Sequence, residues 1–266
     1  MDAVTPPQEL PPSTYRFAAR LAGSYDCELL IQGHWRPVIA LGEVALRGRA
    51  MVFRVREMRY GQRARAADLA NLNAVDVERV SLAALRAGLT ALTPAPVQAQ
   101  PQILILPVPW NAARSERAHR DLVRVAGQAR SALATIPIAE ISDLPIGVPR
   151  DQLAHATAAL KPIFGGVLAG LGSTSASPRP LMDCGFTGAS VDVGDLCVDT
   201  DSPILSGTVA LLKALGPNVL LHGLSAVANL RQAKAAGAAW ASLDVVRSGW
   251  HLVHAGLEAL RGGDDP

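Results

Sequence analysis

The sequence has few aromatic residues and few cysteines. Phenylalanine, tryptophan and tyrosine make up 4% of the 266 residues, so the core must be built mainly from small and branched aliphatic side chains. The three cysteines, Cys27, Cys184 and Cys197, include no C-x-x-C pair. Their odd number and wide spacing exclude a disulfide framework and a cysteine zinc site, and are typical of a reducing compartment.

The sequence also lacks long apolar runs and a strong charge imbalance. No uninterrupted hydrophobic stretch reaches the roughly 20 residues that span a bilayer, and the first residues lack the basic and apolar regions of a signal peptide. The net charge is +2. We therefore expect a soluble cytoplasmic protein with no membrane span.

Basic residues are concentrated in one place, where seven arginines lie between Arg47 and Arg65. A phosphate contact is the functional interpretation, and a solvated strand edge followed by a polar loop is the structural one. Only two aromatic residues, Phe53 and Tyr60, lie among the arginines, and no nucleic-acid motif is present. We therefore expect no nucleic-acid partner.

Short apolar runs alternate with longer helical patterns along the chain. The predicted strands are Glu28–Gln32, Pro37–Leu41, Met51–Val55, Ile103–Val108, Ile136–Ile141, Gly166–Ala169, Ala189–Val193, Val219–His222 and Ala239–Leu243. The predicted helices are Ala66–Leu92, Ser115–Leu133, Arg150–Leu160, Ile204–Leu215, Ala226–Ala236 and Gly249–Leu260.

Repeated strand-then-helix units of this size predict an α/β fold, a TIM-like (β/α) barrel with irregular first strands. A doubly wound open sheet is the alternative. We expect residues 1–20 to be a flexible N-terminal segment and residues 21–262 to be a single barrel domain. The carboxyl ends of the strands are where a barrel places its chemistry.

Several strand ends resemble motifs of EAL domains, in the same order along the chain. Ile138–Asp143 is similar to the E-I-T-E strand, and Gly165–Ser173 to the segment A-L-D-D-F-G. Leu215–Leu224 resembles L-G-x-x-V-V-A-E-G-V, and Ala236–Ala241 resembles the strand that follows it. Arg36–Leu41 looks like the Q-P-I-V-D-L motif, which aligns the signature tripeptide with residues 50–52.

The resemblance implies a fold that, in its active members, hydrolyses cyclic-di-GMP with two divalent cations. Hard cations need oxygen ligands, and two of them activate water and neutralise developing charge. Most of the matching positions here carry residues that cannot bind a metal ion or take the family's catalytic roles. Ala50 replaces the signature glutamate, Pro107 the asparagine, Ala169 and Gly170 the paired aspartates, Ser190 the lysine, His222 a glutamate and Ser242 the glutamine. Glu140 and Asp192 retain carboxylates.

Two carboxylates are too few for a two-metal centre, so the resemblance implies a degenerate, catalytically inactive EAL domain with no cofactor. We expect it to act as a protein-interaction scaffold or regulator in bacterial signalling or motility, with an unidentified protein partner. A homodimer is compatible with the same interpretation.

Two alternatives stay open. Arg54, Glu140 and Asp192 could bind cyclic-di-GMP without metal, because an arginine fork suits a phosphate. Glu140, Asp192 and His222 could instead form a rebuilt manganese or zinc site, with Asp183, Asp195, Asp199 and Asp201 nearby in sequence. We favour a simpler interpretation, in which Glu140 and Asp192 are held by hydrogen bonds and His222 is a satisfied core histidine.

The loop Gly172–Ser175 is a further candidate, because backbone N–H groups at a helix start can hold a phosphate. We favour a reshaped connection between strand and helix.

Overall fold

The computed structural model describes residues 13–20, 26–58, 72–90, 103–130, 137–142, 144–171, 178–193, 203–244 and 251–262. Its strands are β1 (Ser13–Arg20), β2 (Asp26–Ala40), β3 (Ala45–Glu57), β4 (Ile103–Pro109), β5 (Ile138–Ser142), β6 (Gly166–Leu171), β7 (Gly188–Asp192), β8 (Asn218–Leu224) and β9 (Trp240–Leu243). Its α-helices are α1 (Ala74–Thr90), α2 (Trp110–Ala113), α3 (Glu116–Arg130), α4 (Arg150–Leu160), α5 (Pro203–Leu212), α6 (Val227–Ala235) and α7 (His251–Arg261).

The strands form a closed barrel. Each strand pairs with the next in sequence, and β9 also pairs with β2, so β2 to β9 close on themselves while β1 lies outside on β2. Strands β3 to β9 are parallel, whereas β2 is antiparallel to both of its barrel neighbours. The predicted α/β barrel with irregular first strands is confirmed, and the open-sheet alternative is wrong.

The barrel strands are short and almost wholly buried. Strand β8 is buried at every position except its first, and β4 is buried at all positions but its ends. Strands covered on both faces become nearly continuous apolar runs in the sequence. This is why the predicted strands 103–108, 166–169 and 219–222 lie inside observed strands.

The chain differs from the prediction in its first strands. Two strands were predicted within 28–41, but β2 is one strand of 15 residues. Gly33 pairs with Phe53 and Arg36 with Ala50, so the polar residues between the two predicted strands continue the ladder. Residues 13–20, inside the segment expected to be flexible, form β1 by pairing with β2.

Part of β2 and part of β3 project beyond the barrel. Only residues 38–40 of β2 pair with β9, and only residues 48–50 of β3 pair with β4. We call the remainder, β1 with residues 26–35 and 51–57, the arm. Because β3 runs parallel to the barrel strands, the arm rises from the end of the barrel where those strands terminate.

Helices cover the outside of the barrel and one face of the arm. Ile31 of the arm packs against Ala83 and Ala84 of α1. The start of α1 is capped by the Asn73 side chain, which accepts a hydrogen bond from the Asp76 N–H at 2.9 Å. The helix predicted for 66–92 therefore begins at Ala74, and residues 66–71 lie outside the described part.

The core of the barrel has two parts, apart from the small clusters between the arm and α1. The larger lies between the barrel and the helices, and a smaller cluster of aliphatic side chains fills the barrel interior: Val38, Ala50, Ile105, Leu168 and Leu220. We call this cluster the interior plug. Because it fills the middle of the barrel, polar side chains that face the interior must lie at the carboxyl-terminal end. No described helix is long and apolar enough to cross a membrane.

Candidate functional site

The candidate site is a buried polar network at the carboxyl ends of four strands. Glu140 of β5, Ser190 of β7, His222 of β8 and Ser242 of β9 are all buried. Successive side chains of a strand alternate between the two faces of a sheet. The register pairs Glu140 with Leu168 of the interior plug, and Ser190 with Leu220 of the same plug. The four polar residues therefore face the barrel interior.

Glu140 is the centre of this network. Its Oε1 accepts a hydrogen bond from the Ser190 hydroxyl at 2.5 Å. The Nε2 of His222 lies 3.2 Å from Oε1 and 3.1 Å from Oε2, so it donates to the carboxylate. The other ring nitrogen, Nδ1, lies 2.9 Å from the Ser242 hydroxyl oxygen. Both ends of the imidazole are therefore occupied.

The environment of Glu140 keeps it ionised. Burial raises the pKa of the Glu140 carboxyl, because a charged group loses hydration. The charge of His222 and the hydrogen bonds from His222 and Ser190 act in the opposite direction, with a smaller contribution from Arg36. These interactions prevail, and the pKa lies below the ordinary value of 4.5.

Arg36 forms a second layer above the network, at the rim. Its guanidinium lies 3.5 Å from Asp192 of β7 and 3.5 Å from Asp244, which follows β9. The Asp192 side chain is 60% exposed, whereas that of Asp244 is 6% exposed. Arg36 thus bridges two acidic residues across the mouth of the barrel.

The positions that resemble metal ligands carry small or cyclic side chains. Pro107 is paired in register with Glu140, and Ala50 is part of the interior plug. A Cβ atom at Gly170 would lie 2.8 Å from the Ile141 carbonyl oxygen and 3.4 Å from Glu140 Oε1. Because real Cβ atoms are not found at 2.8 Å from such an atom, an aspartate at position 170 would require β5 or β6 to move.

One predicted site residue faces the wrong way. Ala169 belongs to the core between the barrel and the helices, together with Ala189 and Val219. The period-two alternation of a strand allows only one of two successive residues to face the interior. Gly170, not Ala169, is therefore the residue of this pair on the site side.

Arg54 lies on the arm and is separate from the network. It pairs in register with Gln32, whereas Ala50 pairs with Arg36 at the rim. Four residues of strand separate Arg54 from Ala50, a distance of about 13 Å. The three residues predicted to bind a nucleotide are therefore divided: Glu140 lies inside, Asp192 at the rim and Arg54 on the arm.

The network cannot supply a serine nucleophile. Ser242, His222 and Glu140 are connected in the manner of a triad, but Ser190 and Ser242 are both 0% exposed. A nucleophile must reach its substrate, and these hydroxyl groups are covered by other residues. The arrangement instead satisfies a buried carboxylate, as in the simpler interpretation of Glu140 and His222.

A rebuilt metal site is not supported in the described part of the chain, where no group of three or more His, Cys, Asp or Glu residues could hold a metal ion. Asp192, one of the three predicted ligands, is paired with Arg36. Asp195, Asp199, Asp201 and the loop Gly172–Ser175 lie outside the described residues.

Sequence reasoning missed two residues of the site. Arg36 was noted only as part of a strand motif, and Asp244 was not noted. The available signal was their position: Arg36 lies two residues before the plug residue Val38, and Asp244 two residues after Ser242. The same alternation that places Val38 and Ser242 inside would have placed both at the mouth.

Solved structures with a similar fold are EAL proteins. BlrP1 from Klebsiella pneumoniae, in a calcium and cyclic-di-GMP complex, has a TM-score of 0.59 and 15% identity over 81% of this chain and 54% of its own. The FimX EAL domain from Pseudomonas aeruginosa bound to c-di-GMP has a TM-score of 0.55 and 17% identity, covering 80% of this chain and 87% of its own. The YkuI protein of Bacillus subtilis, with an EAL domain in complex with substrate c-di-GMP and calcium, has a TM-score of 0.60 and 10% identity over 87% and 60%.

These comparisons confirm the EAL-type barrel fold that the sequence motifs indicated. The chain spans little more than half of BlrP1 and about 60% of YkuI. No family model matches the sequence, and neither does any curated protein.

Proposed function

We propose that this chain is an EAL-fold domain that does not hydrolyse cyclic-di-GMP and acts as a protein-interaction scaffold or regulator in signalling that involves this nucleotide. The observation that carries the proposal is the internal pairing of Glu140. Its carboxylate is occupied by Ser190 and His222, at the strand ends where an EAL phosphodiesterase would hold its cations. The EAL neighbours that bind c-di-GMP support the connection to this nucleotide.

The charges at the site explain why we expect no hydrolysis. A pair of divalent cations at this site would need several anionic oxygen ligands. Glu140 already faces a histidine, Asp192 and Asp244 are bridged by Arg36, and Gly170 leaves no room for a carboxylate. Side chains of the protein itself therefore occupy the remaining carboxylates, which supports a domain that works by binding.

Hydrolysis is tested directly with the purified protein, cyclic-di-GMP and saturating magnesium or manganese. We expect no linear dinucleotide product by chromatography, with an active EAL enzyme as the positive control. Product formed by the wild type and lost in Glu140→Ala would overturn the proposal.

The scaffold function is tested by affinity purification from native cells. We expect a specific protein partner whose capture persists in Glu140→Gln, since that substitution leaves the outer surface unchanged. Capture that required an intact network would point to a role for the site itself and contradict the scaffold interpretation.

The second candidate is a metal-independent cyclic-di-GMP receptor, for which Arg36 at the rim and Arg54 on the arm are the favouring observation, because guanidinium forks suit phosphates. Isothermal titration with cyclic-di-GMP, with and without magnesium, separates the candidates. Binding without metal that is weakened in Arg54→Ala supports the receptor, and absence of heat excludes it.

A further inference from the structure

One face of the arm is basic. The register places Arg16 of β1 opposite Leu30, and Leu30 opposite Arg56 of β3. Gln32 and Arg54 form the next row, and His34 and Val52 the row after it. Because residues directly opposite each other share a face of a sheet, Arg16, His34, Arg54 and Arg56 all lie on one side of the arm. We call these four residues the basic face.

The basic face and the helix-covered face are opposite sides of the same sheet. Ile31, Met51 and Phe53 lie at the alternate positions, and they pack into clusters that include residues of α1. Arg16 and Arg56 are exposed, and Arg54 is partly exposed. These three arginines form no hydrogen bond or ion pair with any residue that the structure describes.

His34 is surrounded by this charge. Burial lowers the pKa of His34, and the charges of Arg54, Arg56 and Arg36 lower it further. Its buried Nε2 has no hydrogen-bond partner among the described residues. The shift shows that the arginines lie close enough to act on one group. Glu28, which pairs with Ala18, is an exposed acidic residue on the same side of the arm, and it forms no ion pair with a described arginine.

The spacing suits an extended chain of carboxylates. Arg54 and Arg56 are alternate residues of β3, about 6.8 Å apart, and Arg16 lies across β2 from Arg56, two strand spacings or about 10 Å away. Acidic side chains at alternate residues of an extended peptide have the same spacing as Arg54 and Arg56. Each guanidinium can donate two parallel hydrogen bonds to one carboxylate.

The basic face does not suit bases or a second copy of the chain. Its described side chains include no phenylalanine, tyrosine or tryptophan, and single-stranded nucleic acids and nucleotides bind largely by stacking on such rings. A second copy would carry the same positive face and the same net charge of +2. An acidic protein segment needs no ring to stack on, and its charge is opposite to that of the basic face.

We infer that the basic face of the arm is a docking surface for an acidic segment of a partner protein. This inference deepens the proposed scaffold function and rests on it, because it states the chemistry of the partner.

The test uses fluorescence anisotropy of a labelled oligo-glutamate peptide with the 266-residue chain at low ionic strength. We expect binding that weakens as salt is added, because the contacts are exposed ion pairs. The double substitution Arg54→Glu with Arg56→Glu should reduce affinity about tenfold or more. The matched control is Arg117→Glu with Arg120→Glu, two exposed arginines of α3, which should change affinity by less than about twofold.

Absence of peptide binding by the wild type, or an equal loss in the α3 control, would overturn the inference. If the arm double variant does not fold by circular dichroism, Arg56→Gln alone replaces it, and unchanged affinity in that variant has the same meaning. If oligo-thymidine or cyclic-di-GMP displaces the peptide and binds more tightly, the surface belongs to a nucleotide ligand and the inference fails.

The two proposals fail separately. Hydrolysis of cyclic-di-GMP by the wild type overturns the proposed function whatever the anisotropy shows. Absence of peptide binding without hydrolysis overturns only the acidic-partner inference.

Discussion

Glu140 is a buried carboxylate that accepts hydrogen bonds from Ser190 and His222. A buried ion pair adds little relative to apolar residues, but removing one partner leaves an uncompensated charge, which costs several kcal/mol. Substituting one residue of the Glu140–His222 pair should therefore lower the free energy of unfolding more than substituting both.

The first prediction is that His222→Gln lowers the free energy of unfolding by about 3 kcal/mol, measured by urea denaturation. The substitution removes the imidazole Nε2 that donates to the buried carboxylate of Glu140. The double variant Glu140→Gln with His222→Gln should recover half of this loss or more, since neither residue then carries a charge. The control is His251→Gln, at an exposed position of α7, and a His222 variant as stable as this control would contradict the pairing.

The second prediction concerns pH. The pKa of Glu140 is depressed in the folded protein, so ionised Glu140 favours the folded state above the ordinary carboxyl pKa of 4.5. That contribution is lost as the pH falls from this value through the folded pKa. The difference in Tm between the wild type and Glu140→Gln should therefore shrink as the pH falls below about 4. If the difference in Tm grew as the pH fell, the pKa of Glu140 would be raised in the folded protein, and the prediction would be wrong.

At the scale of elements, two glycines allow strands to approach closely. A Cβ atom at Gly188 of β7 would meet the backbone carbonyl of Asn218, and one at Gly48 of β3 would meet that of Ile103. In both places the obstacle is the backbone of the neighbouring barrel strand, which a rotamer change cannot relieve. The glycines thus determine how tightly the barrel closes.

The third prediction is that Gly188→Ala destabilises the protein by about 3 kcal/mol, measured by thermal or urea unfolding. The matched control is Gly207→Ala in α5, where a Cβ atom would meet nothing within 4 Å. Alanine is the better helix former by about 1 kcal/mol, so this variant should be equal to the wild type or more stable. Similar effects of the two substitutions would contradict the close approach of β7 and β8.

The elements also show where sequence reasoning succeeds. Arg150–Leu160 was predicted and observed with the same bounds, because its apolar residues follow the helical period and Pro149 precedes it. β1 was not predicted, and β2 was predicted as two pieces, since both depend on pairing between strands. Pairing overrides the weak local preference of residues such as Gly33.

For the whole molecule, the EAL-type fold is present although the sequence identity to EAL neighbours is 10–17% in the structures compared. A barrel requires apolar strands, close-packed glycines and covering helices, and none of these depends on metal ligands. The fold and the catalytic site are therefore separable, and function must be argued from the site.

The fourth prediction concerns the effect of metal ions on the stability of the whole protein. Saturating magnesium, manganese or excess EDTA should leave the Tm unchanged, because a ligand stabilises a protein only if it binds the folded state. The active EAL enzyme used in the hydrolysis assay is the control, and its Tm should rise with metal. A rise in Tm of this chain with metal, abolished by Glu140→Ala, would overturn the proposed non-hydrolytic function.

The sequence alone determined the succession of strands and helices, the EAL-like order of motifs and the replacement of carboxylates at positions 50, 170 and 222. These are properties of neighbouring residues and of their spacing. Only the tertiary structure decided that His222 faces Glu140, 82 residues away, and that Arg36 bridges Asp192 and Asp244, which are 156 and 208 residues from it. Barrel closure brings such distant residues together, and neither local periodicity nor propensity contains that information. The basic face of the arm has the same origin, because only the pairing of β1, β2 and β3 places Arg16, Arg54 and Arg56 on one surface.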